Sequence, residues 1–135
     1  MTVSLSLVRA YAFAAGACDT ATGVLLVTAP AFTLRLMGIG DVPDETVFLR
    51  FIGTFVGAVG LSYLLPLLPG TGDELLRPVL LITALSRACV GSFVLIAITA
   101  SSLAAGWWVV AATDLVLAAV QLTLLPALRR PHHAA

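Results

Sequence analysis

Along this chain, long apolar stretches alternate with short clusters of polar and turn-forming residues. Four stretches, residues 6–29, 46–68, 78–100 and 107–128, are each long enough to cross about 30 Å of hydrocarbon at about 1.5 Å per helical residue. Pro30 ends the first. Residues 31–39, half-apolar and carrying Arg35, are expected to lie at the membrane interface before the turn Gly40-Asp41-Val42-Pro43-Asp44-Glu45. Asp44, Glu45 and Thr46 suit a helix start, where acids complement the positive end of the helix dipole. Pro69-Gly70-Thr71-Gly72-Asp73-Glu74 forms the next break, with Pro78 near the first turn of the third span. Residues 101–106 form the last turn, and Arg129-Arg130-Pro131 stops the fourth span. Connections this short make consecutive helices antiparallel neighbours. The prediction is all-α: one integral membrane domain over residues 1–135, an up-down-up-down four-helix bundle.

Composition sharpens that picture. The chain of 135 residues is 60% hydrophobic and 10% charged, with a mean hydropathy of +1.08, against about 25% charged in a soluble domain. Net charge is zero and lysine is absent, so no basic stripe exists for nucleic acid. Cys18 and Cys89 lie in apolar runs and read as inert, buried small hydrophobes. No CxxC, HxxxH, nicotinamide or flavin motif occurs, so neither metal nor cofactor is expected; His132 and His133 read as a tail pair. Ala15-Gly16-Ala17-Cys18 is loosely like a lipoprotein cleavage site but lacks its leucine, and the apolar run continues to Pro30, so no removed signal peptide is expected. With four spans, Arg9, Arg77, Arg129 and Arg130 share one side, and Arg35 and Arg50 the other. That asymmetry favours both termini in the cytoplasm, and Trp107 and Trp108 suit a headgroup-level belt; the expected location is a bacterial inner membrane.

Asp19, Arg50, Arg87 and Asp114 interrupt the apolar runs. Charges inside membrane spans are costly and face a bundle interior, paired or functional. Helical rise puts Asp19 about 18 Å, Arg87 about 14 Å and Asp114 about 11 Å along their spans, all near the midplane, whereas Arg50 at about 6 Å can snorkel. Spacing puts Ala12, Ala15, Asp19, Thr22 and Gly23 on one face of the first span, and Thr83, Arg87 and Gly91 on one face of the third. Trp107, Asp114 and Gln121, with Ala111 and Ala118, share a face of the fourth. In the second, Arg50 aligns with Gly53, Gly57 and Gly60, a small-residue stripe suited to close helix approach within the bundle, to a homodimer seam or to a groove. The simplest packing points all four faces inward.

Two readings of this centre compete. In one, Arg87 pairs with Asp114 or Asp19 as a salt-bridge knot that fixes packing. In the other, a carboxyl without a full ionic partner stays protonated and donates its proton to a lipophilic substrate. Asp114 or Asp19 is then the proton donor, and Arg87 and Arg50 set the charge. Tyr63, Trp107, Trp108 and Gln121 form the substrate pocket, their aromatic faces steadying a developing cation. That second reading, a cyclase- or isomerase-type acid–base enzyme acting on an isoprenoid or meroterpenoid, is the leading expectation. A noncatalytic subunit of a membrane complex is the alternative, followed by a small proton-coupled transporter. A cavity of roughly 300 Å³ or more beside the acids marks the enzyme; a filled core with an exposed small-residue face marks the subunit.

Leu49-Arg50-Phe51-Ile52-Gly53, then Gly57 and Gly60-Leu61-Ser62-Tyr63, resembles the second helix of small DoxX-like four-helix bacterial membrane proteins. Ala29-Pro30-Ala31-Phe32 and Thr113-Asp114 look similar too, so the likeness covers most of the chain. It implies a four-helix bundle and, by analogy with some members, a place in a membrane redox assembly. A likeness of mechanism alone links Asp19 and Asp114, one on each helical hairpin, to small integral-membrane terpene cyclases, whose buried carboxylates protonate an epoxide or alkene. Asp19 is also similar in position to the first-helix acid of small multidrug transporters.

Overall fold

The computed structural model describes residues 4–128; Arg129, Arg130, Pro131, His132 and His133 lie outside them. Ser4 is extended, and its hydroxyl accepts the Leu7 N–H at 3.3 Å, capping helix α1 (Leu5–Thr28). Pro30 breaks the run and opens the short helix α2 (Pro30–Leu36), where its missing N–H is harmless. Gly38, at φ +79°, ends α2 as the Ile39 N–H reaches back to the Leu34 carbonyl at 2.9 Å. Helix α3 (Val47–Leu64) continues into a 3₁₀ turn at Leu65–Leu67. A 3₁₀ turn at Asp73–Leu75 leads into α4 (Leu76–Thr99), and another at Ala105–Trp107 leads into α5 (Trp108–Leu124), which tightens at Leu125–Leu128.

The fold is all-α, with four helices long and apolar enough to cross a membrane: Leu5–Thr28, Val47–Leu67, Asp73–Thr99 and Ala105–Leu128. Their outward faces carry Phe13, Phe48, Phe55, Leu85, Phe93 and Leu122 in the open. Water would not tolerate that surface, and lipid does. This is a membrane protein.

Three details depart from the sequence reading. The third span starts five residues earlier than expected, because Pro78 falls inside the first turn of α4 and does not delay it. Asp44 and Glu45 precede α3 and are not part of its first turn. Segment 31–39 does not simply lie flat: α2 tucks Leu34, with Ile39 just beyond it, against Leu26 and Leu49, leaving Phe32, Arg35 and Leu36 outside. The cysteines correct another expectation. Cys18 and Cys89 are free and face outward.

The bundle is built from two antiparallel hairpins, α1 with α3 and α4 with α5. In the first, glycine backbones touch. A Cβ on Gly23 would meet the Gly57 backbone, one on Gly53 would lie 2.6 Å from the Leu26 Cβ, and one on Gly60 would meet the Thr20 backbone. Gly16 completes the seam, where a Cβ would lie 2.9 Å from the Gly60 carbonyl oxygen. In the second hairpin, Gly91 lies against Ala111 and Leu115. Lipid tails are as apolar as leucine, so this close packing, not hydrophobic burial, holds the helices together. One apolar cluster, including Val8, Ala12, Tyr63, Leu76 and Leu80, joins the hairpins at one end. A second, of Leu26, Leu34, Ile39 and Leu49 with Trp107, closes the other. The polar centre lies between the two.

Candidate functional site

Helix α4 carries Arg87 from the middle of its span into the gap between the hairpins, where it is 7% exposed. Its guanidinium forks. Nη1 donates to Asp114 Oδ1 on α5 at 2.6 Å, and Nη2 donates to Asp19 Oδ2 on α1. Nε donates to the Tyr63 hydroxyl on α3 at 3.2 Å, and the guanidinium carbon lies 5.9 Å from the Tyr63 ring centroid. One side chain thus bonds to all three other spanning helices. The sequence reading offered Asp114 or Asp19 as the partner of Arg87; the structure gives it both. Arginine suits the task because its planar fork presents five N–H donors in fixed directions.

A neutral network continues toward one end. Gln121 Nε2 donates to the Tyr63 hydroxyl, and to Thr83 Oγ1 at 3.1 Å. Thr83 in turn donates to the Val79 carbonyl at 2.7 Å. Gln121 and Tyr63 are fully buried. Tyr11 packs edge-on to Tyr63, with ring centroids 6.4 Å apart. The Tyr11 hydroxyl and Gln121 Oε1 are buried without a hydrogen-bond partner among the described residues. Sequence spacing had not singled out Tyr11; as one aromatic in an apolar run, it carries no periodic signal.

Five of the eight expected residues therefore meet: Asp19, Arg87, Asp114, Tyr63 and Gln121. The other three stand elsewhere. Arg50 is exposed, and its guanidinium donates to the Val27 carbonyl near the end of α1. Trp107 packs into the cluster with Leu34 and Ile39, and Trp108 is 55% exposed. Of the two placements the sequence allowed Arg50, facing inward or snorkelling, it takes the exposed one, beside the end of α1. Among the described residues, no group of three metal-ligating side chains comes together.

The electrostatics are uneven. One guanidinium faces two carboxylates, so the trio is one positive charge short if both acids are ionised. Each acid gives one oxygen to Arg87, and the second oxygen of each makes no hydrogen bond to the described residues. The Asp19 and Asp114 side chains are 15% and 16% exposed.

A groove of about 460 Å³ runs along the outer side of the α1–α3 seam, lined by Thr20, Gly23, Val27, Gly53, Gly57 and Leu61 among others; neither acid lines it. Compared with protein-family models, curated proteins and solved structures, the chain finds no match.

Proposed function

We propose that this protein is a noncatalytic membrane module, a subunit-type bundle whose Asp19–Arg87–Asp114 trio clamps two helical hairpins. The observation that carries the reading is that a single guanidinium bonds both acids and Tyr63, while the groove on the α1–α3 face is lined by neither acid. Ion pairs buried in this way fix register more than they add stability.

A second reading, acid–base catalysis on a lipophilic isoprenoid-type substrate, draws support from one observation. Two carboxylates share one cation, each with an oxygen left over. Acids crowded together do not all ionise, and a retained proton is one that can be donated.

A variant series separates the two. Asp19→Asn or Asp114→Asn alone leaves Arg87 paired with the remaining acid, so either single change is expected to cost clearly less than the loss of both acids. Asp19→Asn with Asp114→Asn strands a buried cation, and Arg87→Met strands two carboxylates; each is expected to cost about 3–5 kcal/mol. Stability in detergent would be measured together with product formation from a prenylated epoxide. The clamp predicts that stability pattern and no turnover by wild type. Turnover by wild type that vanishes in a folded single variant would replace the clamp with the enzyme.

A further inference from the structure

The groove on the α1–α3 face and the arginine at its end form a second feature, independent of the clamp. The floor of the groove is glycine backbone, at Gly23, Gly53 and Gly57, and its walls are apolar, with Val24, Val27 and Leu61. From Thr20 to Thr28 along α1 it extends about 12 Å at 1.5 Å per residue. Its volume of about 460 Å³ falls within the range of small-molecule sites, about 300–1,000 Å³. It opens outward, on a surface that faces lipid.

Arg50 stands at one end. Its guanidinium holds the Val27 carbonyl, and Val27 lines the groove. One helical turn on, Thr54 also lines the groove, its hydroxyl bonded to the Arg50 carbonyl at 3.0 Å. Arg50 makes no ion pair among the described residues, although Asp41, Asp44 and Glu45 occupy the connection leading into α3. A guanidinium has five N–H donors, and the Val27 carbonyl uses one. The remainder form a fork suited to phosphate oxygens at headgroup level.

We infer that the groove holds an acyl chain of an anionic phospholipid, with the lipid phosphate on Arg50. The chain would lie on Gly23, Gly53 and Gly57, where side chains would exclude it. Both lipid classes carry the phosphate, but a choline headgroup brings its own cation to the guanidinium and a glycerol headgroup does not, so the anionic lipid is favoured.

Gly57 makes the test clean. A Cβ there meets nothing nearer than the Gly23 Cα at 3.8 Å, ordinary contact, and Gly57 lines the groove, so a side chain at 57 is expected to enter it. Delipidated protein in detergent would be titrated with dioleoyl phosphatidylglycerol, with dioleoyl phosphatidylcholine and with inorganic phosphate, and bound lipid read by native mass spectrometry. Wild type should bind the glycerol lipid at least fivefold better than the choline lipid and show no effect of phosphate alone. Gly57→Leu, or Ala58→Phe from the groove wall should Gly57→Leu fail to fold, should lower binding of both lipids severalfold. Arg50→Gln should erase the headgroup preference and keep residual binding. Unchanged lipid binding in both groove variants would overturn the acyl-chain assignment. A retained preference in Arg50→Gln, or full competition by free phosphate, would overturn the lipid pose. A lipid-free dimer that Gly57→Leu converts to monomer would give the groove to a second copy of the chain instead.

Discussion

Tyr63 shows how much one polar atom can carry in a bundle core. Its hydroxyl accepts from Arg87 Nε at 3.2 Å and from Gln121 Nε2, joining the charged trio to the neutral network. In Tyr63→Phe both donors lose that acceptor at a site with no exposure to solvent. Leaving buried donors unpaired costs about 1–3 kcal/mol, more for a charged group. Gln121 keeps Thr83 and Arg87 keeps its two acids, so the variant should still fold, with a lower melting temperature in detergent. An unchanged melt would show that Tyr63 contributes packing alone. The residues of this network differ in how plainly the sequence announced them. Asp19, Arg87 and Asp114 stood out because charge is rare in apolar runs, and Gln121 because it shares a seven-residue period with Asp114. The forked geometry was not readable: spacing within each helix places a residue on a face, but not how two acids on different hairpins reach one arginine.

At the scale of elements, the glycines sort into two kinds that sequence spacing cannot separate. Gly53, Gly57 and Gly60 form one stripe on α3, yet only Gly53 and Gly60 point their absent side chains into α1. Gly57 lines the groove, and a Cβ on it would meet nothing nearer than the Gly23 Cα at 3.8 Å. Gly60→Ala would drive a methyl group into the Thr20 backbone, and Gly23→Ala into that of Gly57, where neither neighbour is a flexible side-chain tip. Overpacking of this kind costs about 1–3 kcal/mol. Gly57→Ala should melt like wild type. Thermal denaturation of the three variants in one detergent checks the contrast, and equal melts would mean that the seam is loose. The spans themselves were legible, to within a few residues, from hydrophobic length and from Pro30, Pro69 and the Gly-rich turns. The inward tuck of α2 was not, since a seven-residue helix is too short for its periodicity to separate a core face from an interfacial one.

At the scale of the whole molecule, antiparallel pairing within each hairpin means that four crossings return the chain to the side on which it began. The pairing of Arg9 with Asp73 fits this arrangement, since it joins the start of α1 to the turn before α4 at one end of the bundle. Arg9 and Arg77 flank that end; Arg129 and Arg130, next in sequence after the fourth span, lie outside the described residues. Arg35 and Arg50 mark the opposite end. Arginine bias in short flanking segments orients such proteins, and acids contribute little, so the side with four arginines is expected to face the cytoplasm. Arg50, held at the other end, then meets the opposite leaflet, and any lipid it binds comes from there. A reporter that is active only in the cytoplasm, fused after residue 135, should be active, while one inserted in the 40–45 connection should be silent. The reverse pattern would invert the bundle and put the Arg50 groove in the cytoplasmic leaflet. Reversing the bias supplies the causal check: neutralising Arg9 and Arg77 together, with two arginines added beside Asp41, should shift part of the population to the inverted topology.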